Sequence, residues 1–194
     1  PLENDQSVGL VAHVIAKRLG HFYHNEQVEA RLQFFESREA TMAGYVPPML
    51  RRPFYCAGCP HNTSTKVPEG SFAMAGIGCH YMAQWMDRNS ALPTHMGGEG
   101  IPWIGSSAFT KQKHIFTNLG DGTYFHSGSL AIRAAVASKI NITYKILYND
   151  AVAMTGGQAV DGDLPVYRVA QQVVSEGVTK VWILTETLEN YKDR

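Results

Sequence analysis

Apolar and polar residues recur at two different periods along this chain. Over residues 5–42 the apolar positions return every three or four residues: Val8, Val11, Ala12, Ile15 and Leu19 fall on one stripe, and Val28, Leu32 and Phe35 on another. That spacing predicts amphipathic helices, with Gly20 between the two. The stretch GYVPPMLRRP carries Pro47, Pro48 and Pro53 and is incompatible with a helix interior. It predicts a boundary near Arg51, with residues 1–50 a helical connector or the tail of a preceding domain and residues 51–194 a second domain. In the second part the period shortens. SFAMAGI (71–77), HIFTNL (114–119) and ITYKILYN (142–149) are short, apolar and β-prone. TKVWILTE (179–186), rich in β-branched and aromatic residues, predicts a buried strand. LAIRAAVASKI and VYRVAQQVVSEGV have helical spacing, the latter ending at Gly177, and AVAMTGGQAVDGDLP (151–165) between them is predicted as a loop. Strands alternating with helices predict an α/β fold with an N-terminal helical segment.

Composition narrows the classes. A chain of 194 residues with 44% hydrophobic content can bury a sizeable core. Lys plus Arg and Asp plus Glu both number 17, so there is no electrostatic footprint for nucleic acid or an anionic membrane. No run approaches the roughly 18 apolar residues of a membrane helix, and the opening PLENDQSV is no secretory signal. Three cysteines, an odd number, argue against a disulfide scaffold. These features point to a reduced, cytoplasmic setting. The first residue is Pro1 rather than Met, as expected of a piece of something longer. His13, His21 and His24 are expected on solvated helix surfaces rather than in a metal cluster, and residues 188–194 as a frayed end.

The chemistry gathers around NLGDGTYFHSG and the YND that follows the next strand. Gly120, Asp121 and Gly122 sit at the carboxyl end of one predicted strand, and Asn149 and Asp150 at the end of the next, 28 residues after Asp121. Open α/β sheets bind ligands at that edge. Flanking glycines let the backbone approach a phosphate. A carboxylate, a carboxamide and phosphate oxygens suit Mg²⁺. Two further features carry candidate chemistry. Cys56 and Cys59 form C-x-x-C in a turn with Gly58 and Pro60, and Cys79 follows in AGIGCHYM. Such thiols can ligate a thiophilic metal or an iron–sulfur cluster, or form a redox dithiol, and Cys79 alone has a plainer alternative as a buried inert thiol. THMGGEG places His95 before Gly97, Gly98 and Gly100, a backbone that can approach a ligand closely.

The GDG turn and its distant Asn resemble the diphosphate-binding motif of thiamine-diphosphate enzymes. The resemblance implies that Asp121, Asn149 and the carbonyl of Ala151 hold a Mg²⁺ that holds the diphosphate. Asp150 departs from the second Asn of many members. Taken in order, RRPFYCAGCPHNTS, GIGCHYM, THMGGEGIPWIG, NLGDGTYFHSG and NDAVAMTGGQ resemble the thiamine-diphosphate domain of the 2-oxoacid:ferredoxin oxidoreductases. The forms C-x-G-C-P-H and AMTGGQ are most similar to those of the indolepyruvate ferredoxin oxidoreductases. The resemblance runs from about Arg51 to Gly162 and implies a three-layer, mostly parallel sheet flanked by helices. It implies that Cys56, Cys59 and Cys79 ligate a [4Fe–4S] cluster whose fourth ligand lies downstream, outside this chain. Ile77, Gly78, Cys79 and His80 would line the cofactor together with Gly120 and Gly122. His95 would contact the diphosphate or the reacting centre, unless it is simply a satisfied loop histidine. Met154, Thr155 and Gln158 would border the substrate channel or simply pack. Glu99 is not the glutamate that activates the cofactor's aminopyrimidine, because in this class that residue comes from a partner pyrimidine-binding domain.

The implied reaction is oxidative decarboxylation of a 2-oxoacid such as indolepyruvate to an acyl-coenzyme A, with electrons passing through iron–sulfur clusters to ferredoxin. The implied assembly is a homodimer that includes the pyrimidine-binding domain or subunit, and this chain alone is expected to turn over negligibly. Two other functions fit parts of the pattern. A non-redox thiamine-diphosphate decarboxylase or synthase fragment would not need the cysteines, and a catalytically silent module would only bind cofactor.

Overall fold

The structure is a computed structural model that describes residues 8–46, 48–49, 51–162 and 164–191. Expectations that fall on residues 5–7, Pro47 and 192–194 lie outside the described residues. The contacts divide the chain into two units, Pro1–Arg51 and Arg52–Arg194.

The first unit holds two helices, α1 (Val8–Leu19) and α2 (Glu26–Met42). Asn25 caps α2, its side-chain oxygen accepting the amides of Gln27 (2.8 Å) and Val28 (3.3 Å), which satisfies donors the helix cannot pair internally. His13 Nε2 of α1 lies 3.1 Å from Glu36 Oε1 of α2, on the surface as expected. The apolar stripe of α1 is not buried: Val8, Val11, Ile15 and Leu19 are all exposed. Helical period was therefore legible, but burial of the stripe is not observed.

The second unit is built on a parallel sheet. Its first helix is the short α3 (His61–Ser64). Then come β1 (Ala73–Met74), a 3-10 segment (Cys79–Trp85), β2 (Ser90–Ala91), α4 (Ile101–Ser106) and β3 (Ile115–Gly120). A continuous helical stretch follows: α5 (Asp121–Thr123), a π-helical turn (Tyr124–Gly128) and α6 (Ser129–Ala137). The chain closes with β4 (Ile142–Leu147), β5 (Ala151–Val152), β6 (Gln158–Ala159) and α7 (Val166–Ser175). Four strands form one sheet in the order β2-β1-β3-β4, all pairs parallel. The long ladder is β3 on β4, from Ile115 opposite Ile142 to Gly120 opposite Leu147.

Side chains alternate across the sheet, and each face has its own cover. On one face Leu119 packs with Tyr124, Ile132 of α6, and Val169 and Val173 of α7, while Ile115 packs with Met74 and Trp103 of α4. On the other face the Lys145 ammonium sits 5.0 Å from the Phe116 ring centroid and donates to the carbonyls of Ser64 (3.0 Å) and Lys66. The α3 segment is thereby tied to the sheet. The result is the expected α/β architecture, a mostly parallel sheet between two covering layers. Gly128 lets the helical stretch lie close to β3, since a Cβ there would stand 2.8 Å from Leu119 Cδ1.

Four expectations need correction. The strand predicted over 71–77 is ordered as a strand only at Ala73–Met74, because the backbone turns away at Gly76 to Gly78. The predicted loop 151–165 contains an antiparallel hairpin, β5 with β6. Gly156 and Gly157, at φ 129° and 76°, reverse the chain there, and the Thr155 hydroxyl donates to Gln158 Oε1 at 2.9 Å. TKVWILTE is no buried strand: among the described residues it pairs with nothing in the sheet, and Trp182 and Leu184 are 72% and 95% exposed. β-rich composition says which residues suit a pleated surface, but a strand also needs a neighbouring edge to bond to. Residues 188–191 form a 3-10 turn (Leu188–Tyr191) rather than a frayed end. Among the described residues, no helix is long and apolar enough to cross a membrane.

Candidate functional site

The parallel register of β3 and β4 brings their carboxyl ends side by side, and Asp121 stands at the junction. It is 7% exposed. Its Oδ1 accepts the Gly122 amide at 2.9 Å, and its Oδ2 accepts the amides of Asn149 (3.0 Å) and Asp150 (2.6 Å). Asn149 is exposed, and its Oδ1 accepts the Ala151 amide at 3.2 Å. Asp150 has φ 55°, in the left-handed region that Asn and Asp enter more readily than other non-glycine residues. A buried carboxylate and an exposed carboxamide, hard-oxygen donors of the kind Mg²⁺ takes, thus stand at one edge.

Two glycine turns flank this edge. The first follows β1. The His80 ring fills its hollow: a Cβ on Gly76 would stand 2.7 Å from His80 Nε2, one on Gly78 2.6 Å from Cε1, and one on Gly120 3.4 Å from Cε1. His80 is 2% exposed. Burial, and then neighbouring His61, push its pKa down to about 4, so the ring is neutral near pH 7. Its carbonyl accepts the Tyr55 hydroxyl at 3.3 Å. His80 therefore backs the GDG turn from behind, while Ile77, Gly78 and Cys79 are half-buried beside it. His61, 6.1 Å from His80 between ring centroids, is also kept below the usual imidazole range by burial, against an opposing pull from Asp121.

The second turn precedes α4. His95 is exposed and its ring covers Gly98, where a Cβ would stand 2.7 Å from Cε1. The Ser127 side chain presses on Gly97, and Ser127 Oγ lies 2.6 Å from His126 Nδ1. The π-helical turn that carries His126 is a form frequent at functional sites. His126 is not among the residues that the motifs single out. Its one signal is HSG, three residues beyond GDG, which carries no weight until the fold lays Ser127 on Gly97.

The cysteines come from two separate stretches. In C-x-x-C the Cys59 amide donates to the Cys56 carbonyl at 3.1 Å, and Asn62 Nδ2 donates to the carbonyls of Cys56 and Cys59, both at 3.1 Å. Cys56 is exposed, Cys59 and Cys79 are half-buried, and all three are free thiols. Burial, and then Cys59 and Cys56, push the Cys79 thiol up. Among the described residues, no group of three or more His, Cys, Asp or Glu side chains converges tightly enough to hold a metal ion as it stands.

A family model described as "Thiamine pyrophosphate enzyme, C-terminal TPP binding domain" matches residues 76–179, more than half of the chain. The chain belongs to this family. Thiamine pyrophosphate and thiamine diphosphate are one molecule, and the matched span takes in both glycine turns, Asp121 and Asn149 but not Cys56 or Cys59. Among curated proteins, the chain is similar to the indolepyruvate oxidoreductase subunit IorA of Thermococcus kodakarensis, at 28% identity over 169 residues covering 76% of this chain and 25% of that protein. The IorA subunit of Methanothermobacter marburgensis is 33% identical over 128 residues, 60% of this chain and 20% of that protein. That of Archaeoglobus fulgidus is 27% identical over 169 residues, 84% and 26% respectively. The chain thus spans about a quarter of the length of the curated relatives it matches. As a thiamine-pyrophosphate-binding domain, it has its Asp121 and Asn149 at the expected edge of the sheet.

Proposed function

We propose that this chain is the thiamine-diphosphate-binding domain of a 2-oxoacid:ferredoxin oxidoreductase acting on indolepyruvate or a similar arylpyruvate. The convergence of Asp121 with the Asn149–Asp150 turn is the observation that carries the proposal. Asp121, Asn149 and the Ala151 carbonyl hold Mg²⁺, and through it the diphosphate. Gly120 and Gly122 admit the phosphate oxygens. Ile77, Gly78 and Cys79 line the cofactor, with His80 behind them. His95, on the exposed side of the second turn, is placed to donate to a phosphate oxygen or to the reacting substrate. When bound, thiamine diphosphate supplies the carbon nucleophile for decarboxylating a 2-oxoacid. The chain's own residues orient and anchor it, and Asp121 and Asn149 do no proton chemistry.

Cys56, Cys59 and Cys79 are soft donors, suited to an iron–sulfur cluster. They are one thiolate short of the four that a [4Fe–4S] cluster takes, so a further ligand must come from outside this chain. Such a cluster would supply a path for electrons to ferredoxin, and coenzyme A would take the acyl group. The activating carboxylate comes from a pyrimidine-binding domain or subunit, in a cytoplasmic enzyme whose cofactor clefts form within a homodimer. The similarity to indolepyruvate oxidoreductase subunits supports the indolepyruvate substrate and the presence of a partner subunit.

A calorimetric titration of the full-length protein with thiamine diphosphate and Mg²⁺ tests this proposal. Saturable binding that requires Mg²⁺ and is lost in Asp121→Ala is expected. Binding that is indifferent to both Mg²⁺ and Asp121 would sink it.

A further inference from the structure

Glu99 is wholly buried, at 0% exposure, in a protein where it makes no ion pair among the described residues. A buried carboxyl without a cation is costly unless hydrogen bonds offset the loss of water. Its surroundings supply backbone donors. Oε2 accepts the Gly97 amide at 2.7 Å. Burial pushes the carboxyl above its usual range, while the amides of Glu99 itself, Gly97 and Ile77, and the His95 imidazole, pull it back down. On the side of the first turn, a Cβ on Gly76 would stand 3.2 Å from Glu99 Cγ. Glu99 is also held by its own backbone, since its carbonyl accepts the Tyr144 hydroxyl of β4 at 2.9 Å. Its Oε1 has no partner, and neither has His80 Nε2 on the other side of Gly76. One side chain thus touches both glycine turns, while its backbone is fastened to the strand that ends at the Asn149 turn.

We propose that Glu99 is a positioning residue. Its buried carboxyl clamps the turn of residues 76–78 to the turn of residues 97–100 and holds the two glycine walls of the cofactor cleft at a fixed separation. The role of these turns as cleft walls rests on the function proposed above; the clamp itself rests only on the geometry. Glu99 touches neither cofactor nor substrate in this role. It acts through the backbones of Gly76 and Gly97, against which its side chain lies.

The test compares wild type, Glu99→Gln, Glu99→Asp and Glu99→Ala in the full-length protein by two measurements. One is hydrogen exchange of the peptides spanning residues 72–79 and 93–100. The other is calorimetric affinity for thiamine diphosphate with Mg²⁺. Glu99→Ala is expected to speed exchange in both turns and to weaken binding about tenfold, the scale of one hydrogen bond to a charged group. Glu99→Gln keeps an acceptor oxygen and is expected to restore slow exchange, with binding within about threefold of wild type. Should Glu99→Ala not fold, Glu99→Asp, one methylene too short to reach both turns, is expected to loosen them and weaken binding while keeping the fold. Unchanged exchange and affinity in Glu99→Asp and Glu99→Ala would overturn the clamp, as would a Glu99→Gln variant as damaged as Glu99→Ala. If wild type fails to bind thiamine diphosphate, the proposed function falls. The exchange data then still decide whether the two turns are clamped.

Discussion

Asp121 Oδ2 accepts the backbone amides of both Asn149, at 3.0 Å, and Asp150, at 2.6 Å. A single buried oxygen therefore ties the turn after β3 to the turn after β4. The carboxylate shapes the loop that presents Asn149, so it acts on folding before it acts on any ligand.

Replacing Asp121 by Ala removes the acceptor for three amides at once, including Gly122 at 2.9 Å. Leaving buried donors without partners costs about 1–3 kcal/mol each, and the loop will relax to recover part of it. Urea unfolding should show a loss of about 2–4 kcal/mol. Asp121→Asn, which keeps one acceptor oxygen, should lose less. A variant as stable as wild type would mean that these three bonds do not shape the fold.

Gly128 stands where a Cβ would lie 2.8 Å from Leu119 Cδ1 and 3.1 Å from the Thr123 carbonyl oxygen. Gly128→Ala should push the π-helical turn away from β3 and cost about 1–3 kcal/mol, as overpacking of a core does. The displacement should register as faster hydrogen exchange in α6 relative to β1. An unchanged melting temperature would refute the close packing.

Acid should destabilise the fold through His80. Its folded-state pKa of about 4 lies below its ordinary 6.5, so the unfolded chain takes up the proton first. Stability is lost where the unfolded state binds more protons, so it should fall as pH drops from 6.5 toward 4. His61 and His114, also held down by burial, add in the same direction. Chemical denaturation at a series of pH values should show this slope, and His80→Phe, which cannot titrate, should flatten it. An identical slope in that variant would place the effect elsewhere.

If the three thiols serve one iron–sulfur cluster, losing any one should abolish it. After anaerobic reconstitution of the full-length protein, Cys79→Ser should reduce bound iron to background for that cluster. Full iron content in Cys79→Ser would assign Cys79 to packing, in keeping with its half-buried position.

Several elements were legible without the fold. The 3.6 period marks α1, α2, α6 and α7, and the short apolar runs mark β3 and β4 to within a residue or two at each end. The GDG turn and its Asn could be placed at one sheet edge because one helix and one strand separate them. TKVWILTE failed because pairing is a property of the neighbouring edge and not of the run itself. The hairpin of β5 and β6 was missed because two-residue strands carry no period.

The sequence by itself determined the family, the α/β class and the placing of Asp121 and Asn149 at one sheet edge, because these reside in residue types at fixed local spacing. Only the tertiary structure decided that His80 lies buried behind Gly120, that the Ser127 side chain presses on Gly97, and that Glu99 bridges two turns while its carbonyl meets Tyr144. The reason is physical. Those contacts join residues on separate loops, and their distances are set by sheet register and helix packing, which no local pattern of side chains records.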